Sequence, residues 1–202
     1  MAKPLTETPD EPETITIEFN KGMPVGLNGE EKTPVQFLTE LNKIAGKHGI
    51  GVSDIIESRL VGMKIRGVYE APAATTIYKA HHILETLCLD HEMLNLKQAL
   101  KKNYADIIYN AQWFTQSREA LDAFFVTTQK NVTGTVKLKL YKGNIVPQGV
   151  KSAASLYMSD FATFEEDEVY TQADAEGFIN LFSLPAKIYG MVHKKKGGEG
   201  ET

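Results

Sequence analysis

The sequence has little cysteine, no long hydrophobic run and no strong excess of charge of either sign. Its single cysteine, Cys88, excludes an internal disulfide and a thiolate cluster for structural zinc or an iron–sulfur centre. No apolar run approaches the roughly 20 residues that a membrane helix requires. The amino terminus is acidic and contains proline, unlike a secretory signal. We therefore expect a cytoplasmic protein that does not bind membranes, with Cys88 as a small buried residue.

The charge and composition describe an ordinary folded domain. A formal net charge of -4 gives no positive field for phosphate backbones or anionic lipid, so we expect no nucleic-acid partner. Residues 1–13 are acidic, carry three prolines and lack an apolar period, which predicts a disordered lead-in. We expect a disordered tail over residues 194–202. Between these two segments we expect one folded domain over residues 14–193.

Strands are predicted near both ends of this domain. Apolar and polar residues alternate over residues 15–19, and the turn at residues 20–22 predicts a hairpin, which we expect at a sheet edge. The same alternation over residues 132–146 predicts a second hairpin, whose return strand is confined by Pro147 to an edge or a bulge. Residues 50–70 are β-branched and interrupted by glycine, which predicts two strands or one bent strand.

Helices are predicted between the strands and at the end. Thr33 before proline and Asp90 before an amphipathic run are typical helix starts. A last helix is predicted over residues 174–193, with Pro185 as a break or restart. This order predicts an α+β fold with a mixed or antiparallel sheet, a central block of helices and a C-terminal helix.

Two motifs suggest ligand sites but lack the required pattern. Residues 143–152, GNIVPQGVKS, look like a phosphate-binding loop, but five residues separate the glycines and Val150 precedes the lysine. We interpret this segment as a hairpin turn. The spacing of His81, His82 and Glu85 permits metal binding, but His81 falls on an apolar stripe, which favours a packed, hydrogen-bonded histidine.

A longer pattern carries a family resemblance. The run IAGKHGIGVSDIIESRLVGMKIRGVYEAP, residues 44–72, is very similar to the signature region of argininosuccinate synthase, in its carboxyl-terminal synthetase and multimerisation domain. The similarity continues in family order over roughly residues 14–190. It includes the runs LDHEMLNLKQALKKNYADIIYNAQWF, SREALDAF, VTGTVKLKLYKGN, SLYMSDFATF and DAEGFINLFSLPAKI.

The resemblance implies a role for two residues that the pattern alone leaves open. Without it, composition and spacing favour Glu57 as a surface salt-bridge partner of Arg59 and Tyr69 as a half-buried packing residue, and the resemblance reverses this preference. In the family, the positions matching Glu57 and Tyr69 contact citrulline, whose head group suits a carboxylate and a phenol. The family usually has glycine where Ala74 stands, so the geometry near Tyr69 depends on that difference.

The resemblance also implies the reaction and the partners. The family ligates citrulline and aspartate to argininosuccinate, releasing AMP and pyrophosphate, in arginine biosynthesis. ATP, with Mg, is bound mainly by an N-terminal nucleotide-binding domain whose S-G-G-x-D-x-S loop is not found in this sequence. We therefore expect this chain to be inactive alone, to need that domain as a partner and to form a homotetramer. A non-catalytic oligomerisation or interaction domain is the alternative.

Overall fold

The computed structural model describes residues 1–158 and 172–194, and its first compact unit is Met1–Leu156. The strands of this unit are β1 (Glu13–Asn20), β2 (Met23–Leu27), β3 (Glu30–Glu31), β4 (Val52–Ser58), β5 (Lys64–Glu70), β6 (Gly134–Tyr141) and β7 (Asn144–Lys151). Its helices are α1 (Pro34–Lys47), α2 (Pro72–Cys88), α3 (His91–Tyr109) and α4 (Gln116–Thr128). The second unit contains α5 (Gln172–Phe182) and α6 (Leu184–Lys194). The predicted α+β class, with a C-terminal helix, is confirmed.

The main sheet is antiparallel and has the order β3-β2-β1-β6-β7. The expectation that the first hairpin forms a sheet edge is wrong, because β1 lies at the centre between β2 and β6, and β2 also pairs with β3. Ile17 of β1 is opposite Val136 of β6, and both are fully buried. Pro147 lies in β7, an edge strand, beside a register shift in the pairing of β7 with β6, as predicted.

A hydrophobic core lies on one face of this sheet, where α1 and α2 pack. Alternate residues of β1 and β6 face these helices, because side chains of a strand point to opposite faces in turn. The buried apolar residues are Ile15, Ile17, Phe19, Leu27, Phe37, Leu41, Ala45, Ile50, Ala73, Ala80, Leu84, Cys88, Val132, Val136, Leu138 and Leu140. Cys88 is thus buried, as expected.

The helix boundaries follow the capping chemistry of the sequence. Thr33 caps α1 in a capping box, in which its hydroxyl accepts from the N–H of Gln36 and the Gln36 side chain accepts from the N–H of Thr33. Asp90 caps α3 by accepting from the N–H of Met93 at 2.7 Å. Pro185 lies in the first turn of α6, which confirms the predicted restart.

The lead-in differs from the disordered segment that the sequence predicts. Leu5–Glu7 form a turn of 3-10 helix, and Thr8 is buried. The N–H of Lys3 donates to the carbonyl of Gly46 at 2.9 Å, and Lys142 donates to Asp10 at 2.6 Å. Contacts with distant parts of the chain therefore hold this segment.

The predicted disordered tail lies outside the described residues apart from Lys194. Within the described part of the chain, none of the helices combines the length and the apolar character needed to cross a membrane.

Glu13, where β1 begins, makes the stability of the fold depend on pH. Its carboxylate accepts a 2.7 Å hydrogen bond from Lys47 and lies 3.1 Å from His48 Nε2. Burial opposes ionisation of Glu13, but the hydrogen bonds from Lys47 and His48 outweigh it and lower the pKa of this carboxyl group. A lowered folded pKa stabilises the protein above the unfolded pKa, and this stability is lost as the pH falls through the folded value.

We therefore expect Glu13→Gln to be less stable than the wild type at pH 7. It should also lose less stability between about pH 5 and pH 3, because the titrating group is absent. Denaturant unfolding across this range measures both effects. Glu31→Gln, on the exposed strand β3, is the control and should follow the wild type. An unchanged pH dependence in Glu13→Gln would contradict the assignment.

Candidate functional site

The candidate site lies on a two-stranded antiparallel hairpin formed by β4 and β5, separate from the main sheet. This confirms the two strands predicted for residues 50–70. The hairpin is closed by a 2.8 Å hydrogen bond from the N–H of Arg59 to the carbonyl of Met63. After it, α2 begins at Pro72, so Ala74 lies in the first helical turn, where alanine is favourable.

Most apolar side chains of this hairpin are exposed. A two-stranded hairpin is marginally stable in water, and exposed apolar patches are typical of surfaces that another structure covers. The exposed large apolar residues are Val52, Ile55, Ile56, Leu60, Val61, Met63 and Val68.

The structure brings Glu57 and Tyr69 together. Glu57 lies opposite Ile65 and Tyr69 lies opposite Ser53, so alternation along the strands places both on one face of the hairpin. The Tyr69 hydroxyl donates to Glu57 Oε1 at 2.7 Å. Among the described residues, no hydrogen-bond partner is found for the other carboxylate oxygen of Glu57. Within the described part of the chain, the pair therefore presents one unoccupied acceptor oxygen beside a hydrogen-bonded phenol.

The Glu57 carboxylate disfavours ionisation of the Tyr69 phenol. The hydrogen bond to Glu57 raises the pKa of Tyr69, and partial burial and the negative charge of Glu57 act in the same direction. Arg59 opposes this effect and Tyr109 adds to it. At neutral pH the pair therefore consists of a carboxylate and a protonated phenol, with oxygen lone pairs that favour an incoming cationic donor.

The surface salt bridge between Glu57 and Arg59, the alternative from sequence, does not occur in the described part of the chain, where Glu57 pairs with Tyr69. Arg59 instead lines a pocket of about 410 Å³ with Leu60, Val61 and Tyr109. Sequence reasoning does not identify Tyr109, because it arrives from the end of α3 and no local motif connects it with the hairpin.

The histidine cluster centres on His81, which is packed and hydrogen-bonded. His81 Nε2 lies 2.8 Å from Gln129 Oε1, and the His81 ring lies 5.7 Å from the Phe19 ring. Glu85 is buried and accepts from Gln129 and Lys97. Across residues 1–158 and 172–194, no group of three or more metal-binding side chains is suitably placed. The predicted packed, hydrogen-bonded histidine is confirmed.

The apparent phosphate-binding loop is the β6–β7 hairpin, as predicted. Gly143 occupies the turn with φ 78°, and its N–H donates to the carbonyl of His48 at 2.7 Å. Residues 144–151 pair with β6. Since these backbone groups belong to a sheet, they do not form the amide nest that a nucleotide phosphate requires. The residues of this segment do not fit ATP.

Comparison with known proteins places these features in a family. The model of the arginosuccinate synthase C-terminal domain matches residues 1–189. Argininosuccinate synthase of Thermoanaerobacter sp. (strain X514) is 54% identical over 193 residues, which are 96% of this chain and 47% of that protein. The enzyme of Desulfitobacterium hafniense (strain DSM 10664 / DCB-2) is 56% identical over 191 residues, which are 95% of this chain and 48% of the relative.

The argininosuccinate synthase of Clostridium perfringens (strain 13 / Type A) is likewise 56% identical over 191 residues, 95% of this chain and 47% of that protein. The chain therefore spans about half the length of the curated relatives it matches. The family match begins at residue 1, so it includes the ordered lead-in. From this match and these identities, the chain belongs to the argininosuccinate synthase C-terminal domain family.

Proposed function

We propose that this chain forms the carboxyl-terminal part of a cytoplasmic argininosuccinate synthase, a carbon–nitrogen ligase of arginine biosynthesis. Its part in the ATP-dependent ligation of citrulline and aspartate is to bind citrulline and to assemble the oligomer. The family membership supports the reaction class. The 2.7 Å contact between Tyr69 and Glu57 is the observation that carries the assignment of the citrulline site.

The pair suits the head group of an amino acid. The free oxygen of Glu57 and the phenol oxygen of Tyr69 are both acceptors, which match the N–H donors of the citrulline ammonium group. Arg59, on the wall of the adjacent pocket, offers a guanidinium group for the citrulline carboxylate. Together they orient citrulline, and orientation is a large part of catalysis in a reaction between bound substrates.

ATP, with Mg, is proposed to bind to a separate nucleotide-binding region. The relatives are about twice as long as the matched segment, which leaves room for such a region. The exposed apolar side chains of the β4–β5 hairpin support docking of that region beside Glu57 and Tyr69.

The direct test is reconstitution. The purified chain is mixed with the nucleotide-binding half of a relative, citrulline, aspartate and ATP, and pyrophosphate release is measured. We expect pyrophosphate only when all components are present. A stable complex of the two halves that forms no product would favour the alternative, a non-catalytic oligomerisation domain.

Self-association has separate support in the second unit. Helices α5 and α6 carry many exposed large apolar side chains, which favours burial between subunits. These side chains are Phe178, Ile179, Leu181, Phe182, Leu184, Ile188, Tyr189, Met191 and Val192. A homotetramer is the proposed assembly, and sedimentation velocity measures its mass.

The chain by itself should bind citrulline weakly. Glu57 and Tyr69 provide few contacts, and these do not offset the entropy lost when a small flexible ligand is fixed. Calorimetric titration of the isolated chain is therefore expected to show weak or undetectable heat. Submicromolar affinity would contradict this expectation and would mean that the described residues form a complete pocket.

A further inference from the structure

Gly67 lies between Glu57 and Tyr69, the two residues of the proposed citrulline site. It faces Ile55 across the hairpin, on the same face as Glu57 and Tyr69. A Cβ atom added at Gly67 would lie 2.6 Å from Cε2 of Tyr69 and 2.7 Å from both Cζ and the phenol oxygen. Contacts below 3.0 Å force an atom to move, so any side chain at position 67 displaces the Tyr69 ring.

We propose that Gly67 is a positioning residue for citrulline binding, because its bare backbone lets the Tyr69 ring lie across the strand and reach Glu57. This inference rests on the proposed function. Glycine weakens a strand interior and often marks a close approach of another group. Here the close group is the functional phenol itself, and covering a strand glycine with a neighbouring aromatic ring is a known stabilising arrangement.

The ring position has a chemical consequence. Tyr69 is half-exposed, and as a freely rotating side chain it would spend part of its time away from Glu57. Contact with the backbone of Gly67 restricts the ring, so the hydroxyl occupies one oxygen of Glu57 and leaves the other for the ligand. A methyl group at position 67 removes this restriction without changing any titratable group.

Phenol titration tests the geometry without citrulline. In the chain labelled with ¹³Cζ tyrosine, Tyr69 is assigned by its loss in Tyr69→Phe and followed by NMR through alkaline pH. Gly67→Ala should lower the pKa of Tyr69 towards the ordinary value for tyrosine, because the hydrogen bond to Glu57 is weakened. An unchanged titration in a folded Gly67→Ala variant would overturn the inference.

Gly149→Ala is the matched control. Gly149 also lies in a strand, β7, but an added Cβ has no atom within 4 Å. Both substitutions change the strand propensity in the same way, and only the one at Gly67 meets Tyr69. Gly149→Ala should therefore leave the Tyr69 titration unchanged, and a shift equal to that of Gly67→Ala would overturn a specific role for Gly67.

Citrulline affinity tests the functional step in the reconstituted complex. Gly67→Ala should weaken citrulline binding roughly tenfold, the size of one hydrogen bond to a charged group. In the Tyr69→Phe background it should have little further effect, because the two residues act as a unit. The inference would be overturned if the losses of Gly67→Ala and Tyr69→Phe simply added in the double variant. It would also be overturned if Gly67→Ala shifted the Tyr69 titration but kept the full affinity for citrulline. A wild-type complex that forms but binds no citrulline would instead overturn the proposed function. In that case the Tyr69 titration would still test whether Gly67 positions the Tyr69 ring.

Discussion

Phe37→Ala should lower the free energy of unfolding by about 3–5 kcal/mol, the range for removing a buried phenylalanine side chain from a packed core. Phe37 is 1% exposed and lies in α1 on the helix face that packs against the rest of the core. The loss combines the transfer of the ring from the interior with the cavity that it leaves, because the sheet side of the core cannot collapse freely. Denaturant unfolding with a linear extrapolation measures the difference.

The neighbouring residue provides the control. Leu38 is 45% exposed, so Leu38→Ala should change the free energy of unfolding by less than about 1 kcal/mol. Similar losses for the two variants would contradict the assigned core. The buried stripe is Phe37, Leu41 and Ala45, at spacings of four residues.

Local chemistry determines much of this fold, and the sequence therefore predicts it. The caps at Thr33 and Asp90 and the restart at Pro185 depend only on neighbouring residues. The alternation in β1 and β6 identifies the buried faces correctly, because the period of a strand is two residues. The α+β class follows from the order of these elements.

Pairing between distant segments is not visible in such patterns. The central position of β1 depends on its pairing with β6, which comes after four intervening helices. The ordered structure of residues 1–13 depends on contacts with Gly46 and Lys142. Acidic composition describes the segment alone and carries no information about its distant partners.

In the candidate site, too, some features are predictable from the sequence and others depend on strand pairing. The resemblance identifies Glu57 and Tyr69, but the residues alone also allow a pair between Glu57 and Arg59. The choice depends on the register of β4 and β5, which places Tyr69 diagonally across Gly67 from Glu57. The glycine in the sequence signals an interrupted strand, whereas the structure shows that it gives space to a ring.

Glu57→Gln should lower kcat/KM for citrulline roughly 100-fold in the reconstituted ligase, the upper range for one hydrogen bond to a charged group. The amide keeps the shape of the side chain but removes the negative charge that we propose pairs with the citrulline ammonium group. Its NH₂ group would also point a donor towards another donor in one of its two orientations. Steady-state pyrophosphate release at varied citrulline concentration measures the loss.

Two companion variants separate charge from structure. Tyr69→Phe keeps the ring over Gly67 and removes only the hydroxyl, so its loss should be smaller, about tenfold. Asp54→Asn alters the opposite face of the same hairpin, where Asp54 accepts from Arg66 at 2.8 Å, and it should leave the citrulline dependence unchanged. Equal losses for Asp54→Asn and Glu57→Gln would mean that activity follows the stability of the hairpin. A loss of activity in Glu57→Gln without a loss in Asp54→Asn would mean that the negative charge of Glu57 holds the substrate.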